Sequence, residues 1–325
     1  MSQQPVLEVT GLEVNFAGKK KAFGRAAPIR AVKGVSFSIQ PGETLGLVGE
    51  SGSGKSTVAR AVMQLIEPAA GEVLLKGREI TALRGKELRV TRRDIQMVFQ
   101  DPYSSLDPSM LIADSVGEAL EVHDGLRGHE RDARVAELLE LVGLSSHHLE
   151  RYPYEFSGGQ RQRIAIARAL ALNPAVVVCD EAVSALDVST QNQIIGLLEG
   201  LREKLNVAYL FISHDLAVVR HISDRVAVMY FGHLVEVGEV SQIFERPAHP
   251  YTRALLSAIP IADPLRQRSR KTAMLTGEIP DIVNPPSGCP FASRCEFASG
   301  MCREQMPEFR EHNGSSVACH HPLQT

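Results

Sequence analysis

One stretch constrains the fold of this chain more than any other: Gly49-Glu50-Ser51-Gly52-Ser53-Gly54-Lys55-Ser56-Thr57. Its spacing is G-x-x-x-x-G-K-[ST], with an apolar run typical of a buried strand at 44–48 and helical spacing at 58–66. Glycines let backbone N–H groups approach a phosphate closely, and the start of a helix adds a partial positive charge. We therefore predict a phosphate-binding loop in which Lys55 reaches the β- and γ-phosphates and Ser56 ligates magnesium. A glycine-rich turn with an exposed lysine would leave the flanking strand and helix unexplained.

The rest of the chain predicts an α/β fold with a mostly parallel sheet, because strands alternate with helices. Helical spacing without strands at 103–172 indicates a helical insertion between two strands of the core. From about 258 onward prolines and glycines interrupt every pattern, and we expect an irregular tail. The predicted strands are 6–16, 32–39, 44–48, 71–76, 95–99, 175–181, 207–213 and 225–230.

Size and charge are those of an ordinary globular protein of roughly two domains. The chain has 325 residues, 44% of them hydrophobic, and a net charge of −3, so no overall charge favours nucleic acid. The first residues do not resemble a signal peptide, and no apolar stretch approaches a membrane span. We expect a cytosolic chain that reaches a membrane only through a partner. The basic segment 17–30 is either a solvated loop or a contact for a partner or membrane surface.

Four polar side chains each follow a predicted buried strand directly: Gln100, Asp180, Glu181 and His214. The carboxyl ends of parallel strands meet at one edge of a sheet, so these residues are expected around one nucleotide. Asp180 is the expected magnesium ligand and Glu181 the base for the attacking water, while the Gln100 amide can hold magnesium or water. His214 can contact the γ-phosphate. The alternative is a solvated acidic turn with a structural glutamine and histidine.

Two further motifs make a family resemblance plain: Phe156-Ser157-Gly158-Gly159-Gln160 and Ser184-Ala185-Leu186-Asp187. With the phosphate loop, Gln100 and His214, they resemble the ATPase subunits of ATP-binding cassette (ABC) transporters over residues 6 to about 257. Phe156 stands where the family most often has Leu. The resemblance implies that Ser157, Gly158, Gly159, Gln160 and Asp187 complete the ATP site of a second ATPase subunit, packed head to tail. It also places Phe16 against adenine, with an ordinary core or edge aromatic as the alternative.

A narrower resemblance is carried by the runs 97–108, 213–225 and 247–252, which are similar to the ATPases of bacterial dipeptide/oligopeptide importers, the F-type subunit in particular. It implies a nucleotide-binding domain at 1–257, with an antiparallel β subdomain and a helical subdomain at about 101–173, and a C-terminal extension at 258–325. It also implies two membrane permeases, an extracytoplasmic peptide-binding protein and a place at the cytoplasmic face of the membrane. Open alternatives are nickel or another small solute as cargo, a soluble ABC ATPase acting on nucleic acid, a small-molecule kinase and a metal-sensing regulatory subunit.

The tail holds four of the five cysteines: Cys289, Cys295, Cys302 and Cys319. Their spacing is wider than that of a zinc knuckle, and a metal site, free thiols and disulfides all stay open from spacing alone. The runs 286–291 and 318–322 resemble the C-terminal extension of the peptide importer ATPases. Some members hold a four-iron four-sulfur cluster there, so the resemblance implies such a cluster here, with zinc as the alternative. His320 and His321 are expected to be surface residues rather than ligands. Cys179, in a predicted buried strand, is expected to act as a small core residue.

Overall fold

The computed structural model describes residues 4–17, 28–258, 280–282 and 285–324. The chain divides into two compact units. The first unit holds the chain up to Glu8, Ser38–Thr44 and Val73–Ser213, and the second holds the described parts of Val9–Phe37, Leu45–Glu72 and His214–Thr325. Most of the basic segment 17–30 lies outside the described residues, and so do 259–279.

The strands and helices follow the predicted alternation. The strands are β1 Leu7–Phe16, β2 Ile29–Ile39, β3 Thr44–Val48, β4 Ala70–Leu75, β5 Arg78–Glu79, β6 Ile95–Val98, β7 Val176–Asp180, β8 Ala208–Ile212, β9 Arg225–Tyr230, β10 His233–Glu239, β11 Phe309–His312 and β12 Ser315–Ala318. The helices are α1 Lys55–Val62, α2 Gly85–Thr91, α3 Pro102–Ser105, α4 Ile112–Asp124, α5 Gly128–Leu141, α6 Gly158–Leu170, α7 Val188–Leu205, α8 Leu216–Ile222, α9 Val240–Glu245, α10 Pro250–Ser257 and a short one at Gly300–Glu304.

The first unit is built on the parallel strands β8, β7 and β6, in that order across the sheet. Val178 pairs with Met97 on one side and with Leu210 on the other. Every residue of β7 and β8 is buried, as expected for strands covered on both faces. β7 ends at Asp180, so this sheet delivers the two predicted carboxylates to its carboxyl edge.

Helices fill the stretch between β6 and β7, as the spacing predicted. α4, α5 and α6 pack against one another in the first unit. Their contact faces are apolar, with Val116 and Leu120 of α4, Leu138 of α5 and Ile164 of α6 all buried. α6 begins at Gly158, inside the motif Phe156–Gln160, so the packing of α6 fixes the position of that motif.

The second unit contains β3 and β9 as a parallel pair, with Leu47 opposite Ala227. β9 then pairs antiparallel with β10, and β10 pairs antiparallel with β12. Antiparallel pairing also occurs in the first unit, where β4 pairs with β5. The prediction of an α/β fold with a mostly parallel core and antiparallel parts is confirmed, since both patterns are present.

The tail is more regular than the sequence indicated. Residues 309–318 form an antiparallel hairpin, β11 with β12, and β12 joins the edge of β10. The expectation of an irregular tail is therefore wrong for this segment. The strands are only four residues each and β11 is largely exposed, so they carry little hydrophobic periodicity, and their pairing depends on a strand about eighty positions earlier.

Among the described helices, none combines the length and the apolar composition that a membrane span requires.

Candidate functional site

The phosphate loop lies in the second unit, between β3 and α1. All five residues of β3 are buried, and α1 starts directly at Lys55. Gly49 and Gly54 have φ of 152° and 106°, and a Cβ atom would lie 2.1 Å from the Met229 carbonyl oxygen and 2.6 Å from that of Ala31. Any larger residue at these two positions would push the loop out of place. The loop is therefore shaped by close backbone contacts.

Lys55 points back along this loop. Its Nζ donates to the carbonyl oxygens of Gly49, at 2.8 Å, and Glu50, at 3.0 Å, and lies 3.5 Å from Ser53 Oγ. The side chain is almost fully buried, with 6% of Lys55 exposed. The ammonium group is thus held inside the loop, where an anion bound by the loop N–H groups would meet it.

In the first unit the structure brings Gln100 and Glu181 together. Gln100 Nε2 donates to Glu181 Oε2 at 2.7 Å. Asp180 is 6% exposed at the end of β7, whereas Gln100 is exposed and Glu181 half-buried. Glu181 has φ of 50°, in the left-handed region that few residues other than glycine adopt. This backbone turns its carboxylate away from the direction that a continued strand would give.

The two family motifs of the first unit touch each other. Ser157 caps α6: its Oγ accepts from the Gln160 N–H at 3.3 Å, and the Gln160 side chain accepts from the Ser157 N–H at 3.0 Å. A Cβ atom on Gly159 would lie 2.4 Å from Thr190 Cγ2, and one on Gly158 would lie 3.6 Å from Leu186 Cδ2. Gly159 is therefore required by the packing of α6 on the start of α7.

Asp187 begins α7 as its N-cap. Its carboxylate accepts from the N–H groups of Ser189 and Thr190, both at 3.0 Å, and from the hydroxyls of the same two residues. These hydrogen bonds, the one from the Ser189 hydroxyl first, hold the pKa of Asp187 well below its usual range. Asp187 is exposed and ionised, so it can face a partner while it holds the helix end.

Two further predicted site residues lie in the second unit. Phe16 is 40% exposed at the end of β1, so it is not a core aromatic, and both a contact with adenine and an ordinary edge aromatic agree with this position. His214 is exposed and follows Ser213, which is 3% exposed. Phe156, the unusual residue of the family motif, lies in the first unit, is 5% exposed and packs edge-on against His148. An apolar side chain is what that position requires.

The four tail cysteines line one cavity. Burial raises the pKa of Cys289 to about 11 and of Cys319 to about 12, and the neighbouring cysteines add to both shifts. Gly288 has no room for a Cβ atom, which would lie 2.4 Å from the Cys302 carbonyl oxygen. Within the described ranges, no group of three or more His, Cys, Asp or Glu side chains is arranged to hold a metal ion.

His320 and His321 also line this cavity. His321 is exposed, as predicted, and its Nε2 lies 2.8 Å from Ser299 Oγ. His320 is half-buried, and its Nε2 lies 3.0 Å from the Gln305 carbonyl oxygen. Cys179 lies in β7 of the first unit and is 1% exposed, which confirms it as a core residue.

Comparison with known proteins agrees with these motifs. The family model described as "ABC transporter" matches residues 32–184, and the one described as "Oligopeptide/dipeptide transporter, C-terminal region" matches residues 235–302. The putative oligopeptide transport ATP-binding protein YkfD of Bacillus subtilis is 50% identical over 98% of this chain and 96% of its own length. The chain belongs to the oligopeptide/dipeptide group of ABC transporter ATP-binding proteins.

Two more comparisons support this membership. The oligopeptide transport ATP-binding protein AppF of Bacillus subtilis is 49% identical over 98% of both chains. Among solved structures, the dimeric ATP-binding cassette MJ0796, in a post-hydrolysis state with ADP and Pi, is 32% identical with a TM-score of 0.63, over 72% of this chain and 98% of its own. The predicted fold class is confirmed. As a member of this family the chain is an ATPase, and ATP with Mg²⁺ is its expected substrate.

Sequence reasoning missed three residues that act on the phosphate loop: Glu50, Tyr251 and Arg294. The Glu50 N–H donates to Tyr251 Oη at 2.9 Å, and Arg294 forms an ion pair with the Glu50 carboxylate. Glu50 stands at a variable position of the motif, and its partners lie about 200 or more residues away. The sequence did contain one indication of such a contact. Glu50 places a carboxylate inside a phosphate-binding loop, and its negative charge there predicts a nearby cation.

Proposed function

We propose that this chain is the ATP-hydrolysing subunit of an importer that takes up dipeptides and oligopeptides across the bacterial cytoplasmic membrane. The observation that carries the proposal is the full-length similarity to proteins named for oligopeptide transport, which includes the C-terminal region. ABC ATPases of other groups share the cassette, so the C-terminal region is what favours peptides over nickel or another solute.

Within the ATP site, each residue has a role that its chemistry supports. Lys55 and the N–H groups of the phosphate loop bind the β- and γ-phosphates. Glu181 accepts a proton from the attacking water, and its hydrogen bond to Gln100 supports a carboxylate held in one orientation. His214 contacts the γ-phosphate. The remaining nucleotide contacts are Phe16 with adenine and, for the phosphates, Gly49, Ser51, Gly52, Ser53, Gly54, Ser56 and Thr57.

The donor set for Mg²⁺ is a hydroxyl, an amide and a carboxylate, from Ser56, Gln100 and Asp180. Oxygen ligands of this kind fit Mg²⁺, which retains several waters when it binds a nucleotide. The ion supplies neutralisation of phosphate charge when bound. The position of Asp180 at the end of β7 supports its part, because ligands bind at the carboxyl ends of parallel strands.

The motif Phe156–Gln160 supports a second ATPase subunit as a partner. Ser157, Gly158, Gly159 and Gln160 start a helix, and the N–H groups at such a start attract an anion. Since this chain has its own phosphate loop, we propose that these residues and Asp187 complete the ATP site of a second, homologous ATPase subunit. ATP binding would close this pair and hydrolysis would reopen it. Two membrane permeases and an extracytoplasmic binding protein complete the importer, and the chain attaches to the cytoplasmic face through the permeases.

The four-cysteine cavity fits an iron–sulfur cluster in the kind of donors it offers. Four thiols line one space, and burial raises the pKa of three of them, Cys289, Cys295 and Cys319, so a cation is needed to hold these three as thiolates. We propose that Cys289, Cys295, Cys302 and Cys319 hold a four-iron four-sulfur cluster, with zinc as the alternative. The cluster would order the C-terminal extension, residues 258–325, which follows the nucleotide-binding domain, residues 1–257, with its helical subdomain at about 101–173.

Glu181→Gln tests the ATPase assignment of this site. The amide keeps the shape of the side chain and removes its basicity, so we expect ATP binding to persist and turnover in the assembled complex to fall by 100-fold or more, on the order of what a general base contributes. Gln193→Glu, an exposed change on α7, is the control and should hydrolyse ATP at the normal rate. Normal turnover by Glu181→Gln would show that Glu181 is not the general base.

A separate experiment tests the cargo: the uptake of peptides by cells that carry the complex is compared with their uptake of nickel.

The metal proposal needs anaerobic purification followed by iron, sulfide and zinc analysis. We expect about four iron and four sulfide per chain, the content of a cubane cluster with four cysteine ligands. Cys319→Ser should lose most of this content and Cys179→Ala should keep it, because Cys179 lies in the core of the first unit. A content of one zinc per chain would support the zinc site instead of the cluster. A chain without metal would contradict both proposals.

A further inference from the structure

Glu50, a variable residue of the phosphate loop, has partners for its N–H, its carbonyl oxygen and its carboxylate. Its N–H donates to Tyr251 Oη at 2.9 Å, and its carbonyl oxygen accepts from Lys55 Nζ at 3.0 Å. Its carboxylate forms a two-pronged pair with Arg294, with Nη1 at 2.9 Å from Oε2 and Nη2 at 3.1 Å from Oε1. The backbone and the side chain of this one residue are therefore both fixed, the side chain by the C-terminal region.

Arg294 is placed for this contact by its surroundings. Only 6% of its side chain is exposed, and Nη1 also lies 3.3 Å from Tyr230 Oη. An arginine guanidinium keeps its charge at any pH at which the protein is folded, so Arg294 meets the Glu50 carboxylate as a cation. Two parallel hydrogen bonds to a carboxylate are the strongest arrangement that arginine offers in proteins.

The segment that carries Arg294 is itself locked onto the second unit. Phe291, three residues earlier, is 2% exposed and packs edge-on against Tyr230 and Tyr251, with ring centres 5.4 Å away in both cases. Tyr230 and Tyr251 are 4.6 Å apart. The aromatic cluster, Phe291 with these two tyrosines, thus supports both groups that reach Glu50, Tyr251 Oη and the Arg294 guanidinium.

A carboxylate in this loop creates an electrostatic problem. The loop is built to bind polyphosphate, and a negative charge on Glu50 would repel it. Arg294 compensates that charge at hydrogen-bond distance. The same pair fixes the residue whose carbonyl oxygen holds Lys55, the cation that meets the phosphates.

We propose that Arg294 is a positioning residue of the ATP site: it neutralises Glu50 and fixes the phosphate loop, so that the C-terminal extension sets the affinity for ATP. The proposal rests on the function proposed above for the phosphate loop. It assigns to the cysteine-rich extension a direct effect on nucleotide binding, through a contact between Arg294 and Glu50 within one chain.

The test is a titration of the full-length chain with a fluorescent ATP analogue and Mg²⁺, with the thermal unfolding midpoint measured in parallel. Arg294→Met keeps most of the side-chain volume and removes the charge. We expect its dissociation constant for the analogue to rise roughly tenfold, the effect of losing one charge-assisted contact. Adding Glu50→Gln to this variant removes the unpaired carboxylate and should bring the constant back to within about threefold of the wild type.

Arg253→Ala is the matched control. Arg253 pairs with Glu296 in the same region of the chain, and neither residue belongs to the phosphate loop. We expect it to bind the analogue like the wild type. Equal weakening by Arg253→Ala, or unchanged affinity in a folded Arg294→Met, would overturn the proposal, and so would failure of Glu50→Gln to restore binding.

Lys55→Ala separates this proposal from the function on which it rests. If the wild type binds the analogue and Lys55→Ala does not, the phosphate loop is the nucleotide site, and the Arg294 results decide the inference alone. If the wild type and Lys55→Ala bind equally, the proposed site itself is wrong, and the proposed role of Arg294 is rejected with it.

Discussion

The backbone conformation of Glu181 predicts an unusual order of stability for two inactive variants: glycine at this position should be more stable than alanine. Glu181 has φ of 50°, a conformation that costs roughly 1–2 kcal/mol for a residue with a Cβ atom. Glu181→Ala and Glu181→Gly both remove the carboxylate and its hydrogen bond to Gln100. In the folded state the two variants therefore differ in whether a Cβ atom is forced into the left-handed region.

The magnitude follows from two opposing effects. Glycine relieves the backbone strain of roughly 1–2 kcal/mol, and it loses roughly 0.5–1 kcal/mol through the greater freedom of the unfolded chain. The free energy of unfolding should thus be about 0.75 kcal/mol higher for Glu181→Gly than for Glu181→Ala, within a range of about 0 to 1.5 kcal/mol. In a domain of this size that difference corresponds to about 1–4 °C in the unfolding midpoint.

Urea and thermal unfolding, followed by circular dichroism, measure this difference, and ATPase assays should show both variants inactive. Gln193 supplies the control, because it is exposed in α7. There Gln193→Gly should be less stable than Gln193→Ala by about 1 kcal/mol, which is the opposite order. If Glu181→Gly is no more stable than Glu181→Ala, the residue is not strained in solution, and the reasoning is refuted.

Two other predictions follow from contacts within one unit. Gly159→Ala would place its Cβ atom 2.4 Å from Thr190 Cγ2, so we expect loss of ATPase activity in the complex; Thr190→Ser removes that methyl group, keeps the hydroxyl bonded to Asp187 and should restore part of the activity. His233 is mostly buried, and this burial, with the charges of Lys33 and Arg30, lowers its pKa to about 4. A depressed histidine pKa gives stability that is present above about pH 6.5 and lost as the pH falls toward 4, so the wild type should lose about 1.4 kcal/mol more than His233→Gln between about pH 8 and pH 5.5. Urea unfolding at both pH values checks this, and equal losses would show that His233 titrates normally in the folded chain.

The sequence predicted best where function follows from local order along the chain. Gln100 and Glu181 were expected together because each follows a buried parallel strand, and their 2.7 Å hydrogen bond agrees with that. The phosphate loop was predictable because a strand, a spaced set of glycines and a helix are contiguous. In both cases the relevant geometry is set by neighbours within a few residues of a strand end.

Long-range pairing was beyond such reasoning. Arg294 stands 244 positions from Glu50, and neither residue is part of a periodic pattern that would indicate the other. The hairpin at 309–318 was missed for the same reason, since four-residue strands acquire their structure from β10. The left-handed φ of Glu181 has no signal at all in the residue type, because glutamate rarely adopts it.

The pairing of β12 with β10 also decides where this protein can be divided and recombined with relatives. Glu236 of β10 is fully buried, and its carboxylate accepts from the N–H groups of Ala248 and His249, at 2.7 and 2.9 Å, and from the Ser315 hydroxyl at 3.3 Å. A chimaera joined near residue 258 would leave β10 either with a strand from another protein beside it or with an open edge that is prone to aggregate. It would also remove the Ser315 hydroxyl, which donates a hydrogen bond to the buried Glu236 side chain. Exchanges between importers should therefore transfer β10 and everything after it as one cassette.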